Sequence, residues 1–535
     1  MAERFLDHHE LLISTLSPVH VGCGQDYDPT SYIMEEEICY IFDPMDALQN
    51  DEDRQVLLNI VERIRTEKDI PHVQRFFYER RERLLPMFRR RLSTGPGIQT
   101  FYDEKINALG STNRLQIERM TSLAAEDRLY VPGSSLKGAI RTALLDQEHG
   151  GRPLANPRDA EVKGRDWRKL APLHSTLARA LPDKDFSLDP MRLLRFSDLN
   201  PLPDGESGEV FFAVNRKGNG EAGRGPYQVL ECLTPMSLES LRGWCSFLDP
   251  KQARREADKL PDDMLWWNRV ELARRCNRFY RKQLQTELER LATVLSDDWA
   301  RSVSASLANG GLRRLLESDR AFLVRIGRYS GAESVTLNGV RHIERPQKKD
   351  WVQYPGTVWL AASRDTRQEY DLLPFGWLLV EFDHPGRRPL AETVPELVVL
   401  ARQFQSRGSE RLQKSDARLQ QLWEKRQREQ AQAEEAARRR EEEETAEQAR
   451  REHLAAMSDQ ERAVTLFREE IAGTRIVQPI GGALWNRATL LVKEAASWTT
   501  EERQRLAQAI REELPGKLKG VPPKRIQELL ERISA

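Results

Sequence analysis

Arg128-Leu129-Tyr130-Val131-Pro132-Gly133-Ser134-Ser135-Leu136-Lys137-Gly138-Ala139-Ile140-Arg141-Thr142-Ala143-Leu144-Leu145 reads as a short strand, a tight turn and a helix. Pro132-Gly133 is a turn signal. Ser134 or Ser135 is the expected N-cap. The first-turn amides, at the positive end of the helix dipole, then form a place for an anion such as phosphate. Leu136, Ile140, Ala143 and Leu144 fall at i, i+4, i+7 and i+8 and make one apolar face. Lys137 and Arg141, four apart, share another. Two readings stay open on these residues alone: an ordinary capped helix with two solvated cations, and a phosphate-binding terminus.

Three further blocks stand out. Leu16-Ser17-Pro18-Val19-His20-Val21-Gly22-Cys23-Gly24 reads as a strand end and a glycine-rich turn, Leu323-Val324-Arg325-Ile326-Gly327-Arg328-Tyr329-Ser330-Gly331 as a late glycine-containing loop, and Leu373-Pro374-Phe375-Gly376-Trp377-Leu378-Leu379-Val380 as a closing strand. Together with the first stretch, these blocks closely resemble, in order, the signature of the RAMP superfamily, the RRM-like subunits of CRISPR effector complexes. Within it the likeness is strongest to the head subunit of type III-A complexes, the fifth Csm subunit. The late loop is less glycine-rich than in many relatives, and residues beyond about Leu390 have no counterpart in the usual shorter members.

With 535 residues the chain exceeds one ordinary core and suggests about three units. Its 83 basic and 83 acidic residues cancel, so any RNA site is a local patch rather than a global charge. Five cysteines without a CxxC pair indicate neither a zinc knuckle nor a disulfide framework, and reduced, buried thiols are expected. The polar N-terminus has no signal-peptide core, and the most apolar run, 372–382, is too short to span a bilayer. A cytoplasmic location is expected.

Strands are expected at 10–21, 32–42, 193–199, 210–215 and 227–233, the pair 193–199 and 210–215 as sheet neighbours, with a helix starting at Pro235. Residues 53–92 fit amphipathic helices. The arginines at 80–91 suit a phosphate backbone or a solvated face equally. The basic helix over 268–295 either binds RNA or covers the sheet. The alternation of strands and helices suits a ferredoxin-like βαββαβ unit. The fold class is therefore α+β, a ferredoxin-like (RRM-like) RAMP fold in two tandem units, with a long charged helix and a small C-terminal α-helical domain. The expected divisions are 1–200, an N-terminal RAMP domain with a helical insertion; 201–390, a second RAMP region with a basic helical insertion; 391–457, the charged helix; and 458–535, the small helical domain. From Trp423 to Glu452, Ala, Glu, Gln and Arg dominate, which predicts a solvated helix held by i, i+4 charge pairs rather than by an apolar seam. A chain ended near Leu400 is accordingly expected to fold. Thr499 and Glu502 form a capping box for a helix over 501–514, and Trp485, Leu490, Leu491, Trp498, Leu506, Ile510 and Leu514 are candidates for the core of the tail.

His20 is the one histidine in a recognisable motif. RNA-cleaving relatives in the superfamily use a histidine near the first helix as general base, whereas a His beside Pro18 and Gly22 also serves to hydrogen-bond a turn. No GxxxxGK[ST] phosphate loop is present. Asp198 and the cluster Asp183-Lys184-Asp185 lack a second ligand set, so neither metal nor cofactor is expected. The resemblance implies a non-catalytic subunit capping the 3′ end of the guide crRNA in a type III-A interference ribonucleoprotein, supporting crRNA maturation and antiviral defence. Its implied partners are the crRNA, the RAMP backbone subunit and small helical subunit of the same complex, and a maturation nuclease, with no membrane. Candidate RNA contacts are His20, Ser134, Ser135, Lys137, Arg141, Arg325, Arg328 and Tyr329. The alternatives are a guide-processing endoribonuclease using His20 and a scaffold that recruits a separate nuclease through the C-terminal extension.

Overall fold

The computed structural model describes residues 6–49, 51–108, 115–123, 128–151, 190–203, 208–217, 227–249, 268–339, 341, 343–345, 350–352 and 354–534. Asp183, Asp185 and most of the loop expected at 150–166 lie outside them.

The chain divides into two compact units, 1–424 and 425–535. The first is α+β. One of its sheets is antiparallel and runs Asn200–Pro201, Ser237–Leu248, Leu6–Thr15, Trp377–Phe382, Ala321–Arg325, with Leu194–Phe196 also paired to Ser237–Leu248. Trp377–Phe382 is buried at every position, as a near-continuous apolar run in a central strand should be. The helices Gly133–His149 and Arg269–Arg290 pack on each other and on Ala321–Arg325. Asn277 pins the second helix there, donating to the carbonyls of Leu316 and Ala321 and accepting from Leu323 N.

The second sheet is mixed. Its order is Gly22–Tyr27, Ile117–Met120, Gln228–Leu233, Gly208–Lys217, Arg90–Thr94, Ile38–Ile41, Tyr32–Glu35, and Thr357–Ala362 joins Gly208–Lys217 as well. Ile117–Met120 runs parallel to Gln228–Leu233, and Arg90–Thr94 to Gly208–Lys217. Each sheet therefore takes strands from both sides of residue 200, and Asn200–Pro201 is itself a strand.

Three local expectations are corrected by this long-range pairing. The segments at 193–199 and 210–215 are not neighbours: Leu194–Phe196 belongs to the first sheet and Gly208–Lys217 to the second. Pro235 does not start a helix. Met236 takes φ +58 and the chain returns as Ser237–Leu248, because Leu6–Thr15 offers a strand-long partner that buries it. The helical stretch after residue 53 stops short of Leu92, since Arg90–Thr94 pairs with Ile38–Ile41.

The helix Pro395–Ala456 is not free from its start. Leu397, Leu400 and Ala401 share the main core, and Leu422 packs with Tyr40, Phe76 and Phe77 in a smaller one. Ser415 Oγ accepts from Tyr40 Oη at 2.7 Å, and Arg411 pairs with Glu37 (2.7 Å) and Glu209 (3.3 Å). The helix thus packs within the first unit as far as Leu422, beyond the end near Leu400 at which the chain is expected still to fold. From Trp423 to His453 every residue is exposed, and Arg438–Glu442, Arg439–Glu435 and Arg451–Glu447 form the i, i+4 pairs that such a composition predicts.

In the second unit two halves share one layout. Helix Asp459–Gly473, strand Gln478–Pro479 and helix Ala483–Glu494 are followed by helix Thr500–Glu512, strand Leu518–Lys519 and helix Pro523–Ser534. Each half opens with a capping box, Ser458/Glu461 and Thr499/Glu502. Phe467, Leu484, Leu491, Leu506, Ile510, Leu514, Ile526, Leu529 and Ile533 form its core with Trp498. Leu490, expected inside, is exposed, and Trp485 packs at the margin.

Candidate nucleic-acid interface

The four sequence blocks converge. Leaving strand Leu6–Thr15, the 16–24 block turns so that the Pro18 carbonyl accepts from Gly376 N (2.8 Å) and the His20 carbonyl accepts from Arg328 N (2.8 Å). Ile326 N donates to the Gly376 carbonyl at 2.9 Å. Two glycines make these approaches feasible. A Cβ on Gly327 (φ +77) would lie 2.3 Å from the His20 oxygen, and one on Gly376 (φ +94) would lie 2.3 Å from the Ile326 oxygen. On the other side, Thr121 N donates to Val21 O, Tyr130 N to Thr121 O, and Val131 bridges Leu199 just before the signature helix.

That helix, Gly133–His149, is capped from a distance. Pro132 holds the N-cap position with no side-chain cap, so the expectation of a Ser134 or Ser135 cap is corrected. Gly133 N instead donates to Asp198 Oδ1 at 2.8 Å. A carboxylate of the chain itself thus satisfies one of the amides that the sequence offered to a phosphate, and Asp198, weighed as a metal ligand, has this other employment. Ser134 is exposed, while Ser135 and Arg141 are half-buried. Lys137 Nζ donates to the Leu194 carbonyl at 2.8 Å.

Two candidate contacts lie inside. His20 is 0% exposed, its Nδ1 donating to the Glu231 carbonyl at 2.6 Å. Burial lowers its pKa, the Glu231 carbonyl opposes, and the Arg328 charge lowers it further. His20, expected among the RNA contacts, lies inside and braces the turn. Arg325, another expected RNA contact, is 3% exposed. Its Nη2 meets Glu287 Oε1 at 2.8 Å and its Nε donates to the Phe375 carbonyl at 2.8 Å, with Glu333 3.8 Å away. Burial raises the Glu287 pKa, with Arg325 opposing.

Arg328 and Tyr329 do reach the surface region. The Arg328 side chain is 43% exposed, paired to Glu118 and donating to Gln228 Oε1 at 3.1 Å. Tyr329, at φ +61, stacks on Trp359 with ring centroids 4.6 Å apart and planes 17° apart, and its hydroxyl also bonds Gln228. A cation beside a stacked aromatic pair can hold a phosphate and a base face. Glu118, Gln228 and Trp359 carried no local sequence signal, since each comes from a strand far along the chain.

The arginines at 80–91 are largely committed to structure: Arg80 and Arg83 to Asp53, Arg81 to Glu35, Arg89 to Asp43, Arg90 to buried Glu231, Arg91 to Asp416. In the basic helix, Arg274 pairs with Asp319 and Arg281 with Glu317 while the opposite face covers the sheet. Four cysteines are buried and Cys23 is exposed; all five are free thiols. Among the described residues no group of His, Cys, Asp and Glu is arranged to hold a metal ion, and no helix is long and apolar enough to cross a membrane.

The sequence pattern of the RAMP superfamily matches residues 12–291, and the chain belongs to that superfamily. Its α+β architecture of curled sheets is the ferredoxin-like RAMP fold. Among solved structures, a chain of a cryo-EM structure of a Csm–crRNA–target RNA ternary complex in a type III-A CRISPR-Cas system is similar at 20% identity and TM-score 0.44, over 70% of this chain and 100% of that one. T. onnurineus Csm5 is similar at 17% identity and TM-score 0.38, over 69% and 99%. No curated protein sequence matches.

Proposed function

We propose that this chain is a non-catalytic, guide-RNA-binding subunit of a type III-A CRISPR ribonucleoprotein, seated at the 3′ end of the crRNA beside the RAMP backbone subunits and the small helical subunit. The observation that carries the reading is the convergence of the four superfamily blocks on one hydrogen-bonded knot, from which Arg328 and Tyr329 project with Trp359 behind them. In this reading Arg328, Tyr329, Ser134, Ser135, Lys137 and Arg141 meet phosphate and base, while His20 and Arg325 hold the knot from within. Contacts of this kind position the strand rather than read its sequence. A general base must reach its proton, and the burial of the His20 ring supports a bracing role over a catalytic one.

The test is Arg328→Ala in the full chain, with binding of labelled repeat RNA followed against salt. Binding should weaken across sequences, and the log–log salt slope should fall by about 0.7, the share of one single-strand phosphate contact. A folded variant with unchanged affinity and slope removes this loop from the interface, and cleavage of the repeat RNA by the wild-type chain overturns the non-catalytic assignment.

A further inference from the structure

The C-terminal unit carries a surface that the reading above leaves unused. Gln478–Pro479 and Leu518–Lys519 pair in parallel, Gln478 opposite Leu518 and Pro479 opposite Lys519. The loops entering helices Ala483–Glu494 and Pro523–Ser534 therefore start side by side, about 4.8 Å apart at the strands. Lys517 Nζ ties them further, donating to the Thr474 carbonyl at 2.8 Å.

Acidic residues are missing from both loops and their flanks. Neither 471–493 nor 514–527 contains an Asp or Glu, in a chain whose 83 acidic residues elsewhere pair off so many of its arginines. Arg475, Lys519 and Lys524 are exposed and make no ion pair among the described residues, and Arg525 reaches only Glu528, at 3.7 Å. On the same loop as Arg475, Ile476 is 78% exposed, Val477 48% and Ile480 41%.

We infer that this tip is a second RNA contact, holding the phosphodiester backbone of single-stranded RNA against Arg475, Lys519 and Lys524, with Ile476, Val477 and Ile480 against ribose and base faces. A cluster of cations with no acidic residue on either loop, and without a fixed acceptor geometry, suits a polyanion. Three aliphatic side chains are a small apolar centre beside the roughly 800 Å² per partner of a standard protein interface, which disfavours a folded protein as occupant. The inference shares RNA with the proposed function and none of its residues.

The experiment uses the full chain with R475A/K519A/K524A, a charge-preserving K519R/K524R control and Arg328→Ala, measured against a labelled poly-U strand and against labelled poly-glutamate over a salt series. All three positions are solvent-facing, so the melting temperature should hold, and R475A/K519A alone serves if it does not. The triple variant should lose about 2 from its poly-U salt slope, three contacts at about 0.7 each, and K519R/K524R should keep the wild-type slope. This result stands whatever Arg328→Ala does, which separates the tip from the late loop. An unchanged poly-U slope in the folded triple variant overturns the inference, as does a loss confined to poly-glutamate, which would mark the tip as a seat for an acidic polypeptide.

Discussion

Arg325→Met distinguishes a phosphate ligand from an internal brace. In the structure its guanidinium meets Glu287 at 2.8 Å and the Phe375 carbonyl at 2.8 Å, and the other Glu287 oxygen accepts from Trp377 Nε1 at 2.7 Å. Removing Arg325 leaves a buried carboxylate with an indole N–H and with Glu333 nearby. Breaking a buried pair from one side costs about 3–5 kcal/mol, a large share of the roughly 5–15 kcal/mol that holds a domain folded. R325M/E287L removes both charges and should cost less than R325M alone, the remainder being about 1–3 kcal/mol for the unpartnered indole N–H. The pH dependence has a definite sign. Burial raises the folded pKa of Glu287 above its ordinary value, so its contribution to stability is fully present below the unfolded pKa and is lost as pH rises through the folded one. Without the opposing cation the folded value climbs further. The deficit of R325M should therefore be largest near neutral pH and shrink as pH falls toward about 4.3, the value of an unfolded Glu. Urea unfolding of wild type, R325M, E287L and the double variant at two pH values measures all of this, and RNA binding of folded R325M should keep its salt slope. Wild-type stability combined with a reduced slope would refute the argument and return Arg325 to the RNA.

Ending the chain after Glu424 should preserve the melting temperature of the first unit, whereas ending it after Leu400 should lower it, because buried Leu422, worth about 2–5 kcal/mol when truncated, and the Tyr40–Ser415 and Glu209–Arg411 contacts go together; equal melting temperatures would show that 401–424 adds nothing. Asp198→Ala should destabilise by about 1–2 kcal/mol through loss of the acceptor for Gly133 N, and Asp198→Asn by less; a neutral Asp198→Ala in chemical denaturation would mean that water replaces the cap.

What could be read from the sequence was local. The apolar face of Gly133–His149 follows from residues spaced three and four apart, and Leu136, Ile140, Ala143 and Leu144 are all buried. The Thr499–Glu502 capping box forms because both partners sit within one turn. The exposure of 423–453 follows from a composition with nothing to bury. The four blocks marked the superfamily because turns with glycine or proline at fixed places leave a pattern in the chain itself.

The tertiary structure decided which of the polar candidates face solvent. Arg325 ends the strand Ala321–Arg325 and Arg328 follows three residues on in the loop, yet one is sealed against Glu287 and the other is nearly half exposed. The strand from Pro235, the cap on Gly133 and the brace on His20 depend on partners at Leu6–Thr15, Asp198 and Glu231, in the last two cases 65 and 211 residues away. Burial and pairing are set by which distant segments meet, and a carboxylate carries no mark in the sequence of the amide or guanidinium it will meet; by itself the sequence determined the superfamily, the apolar face of Gly133–His149 and the solvated helix, and only the packed sheets decided which segments became strands and which cations remain at the surface.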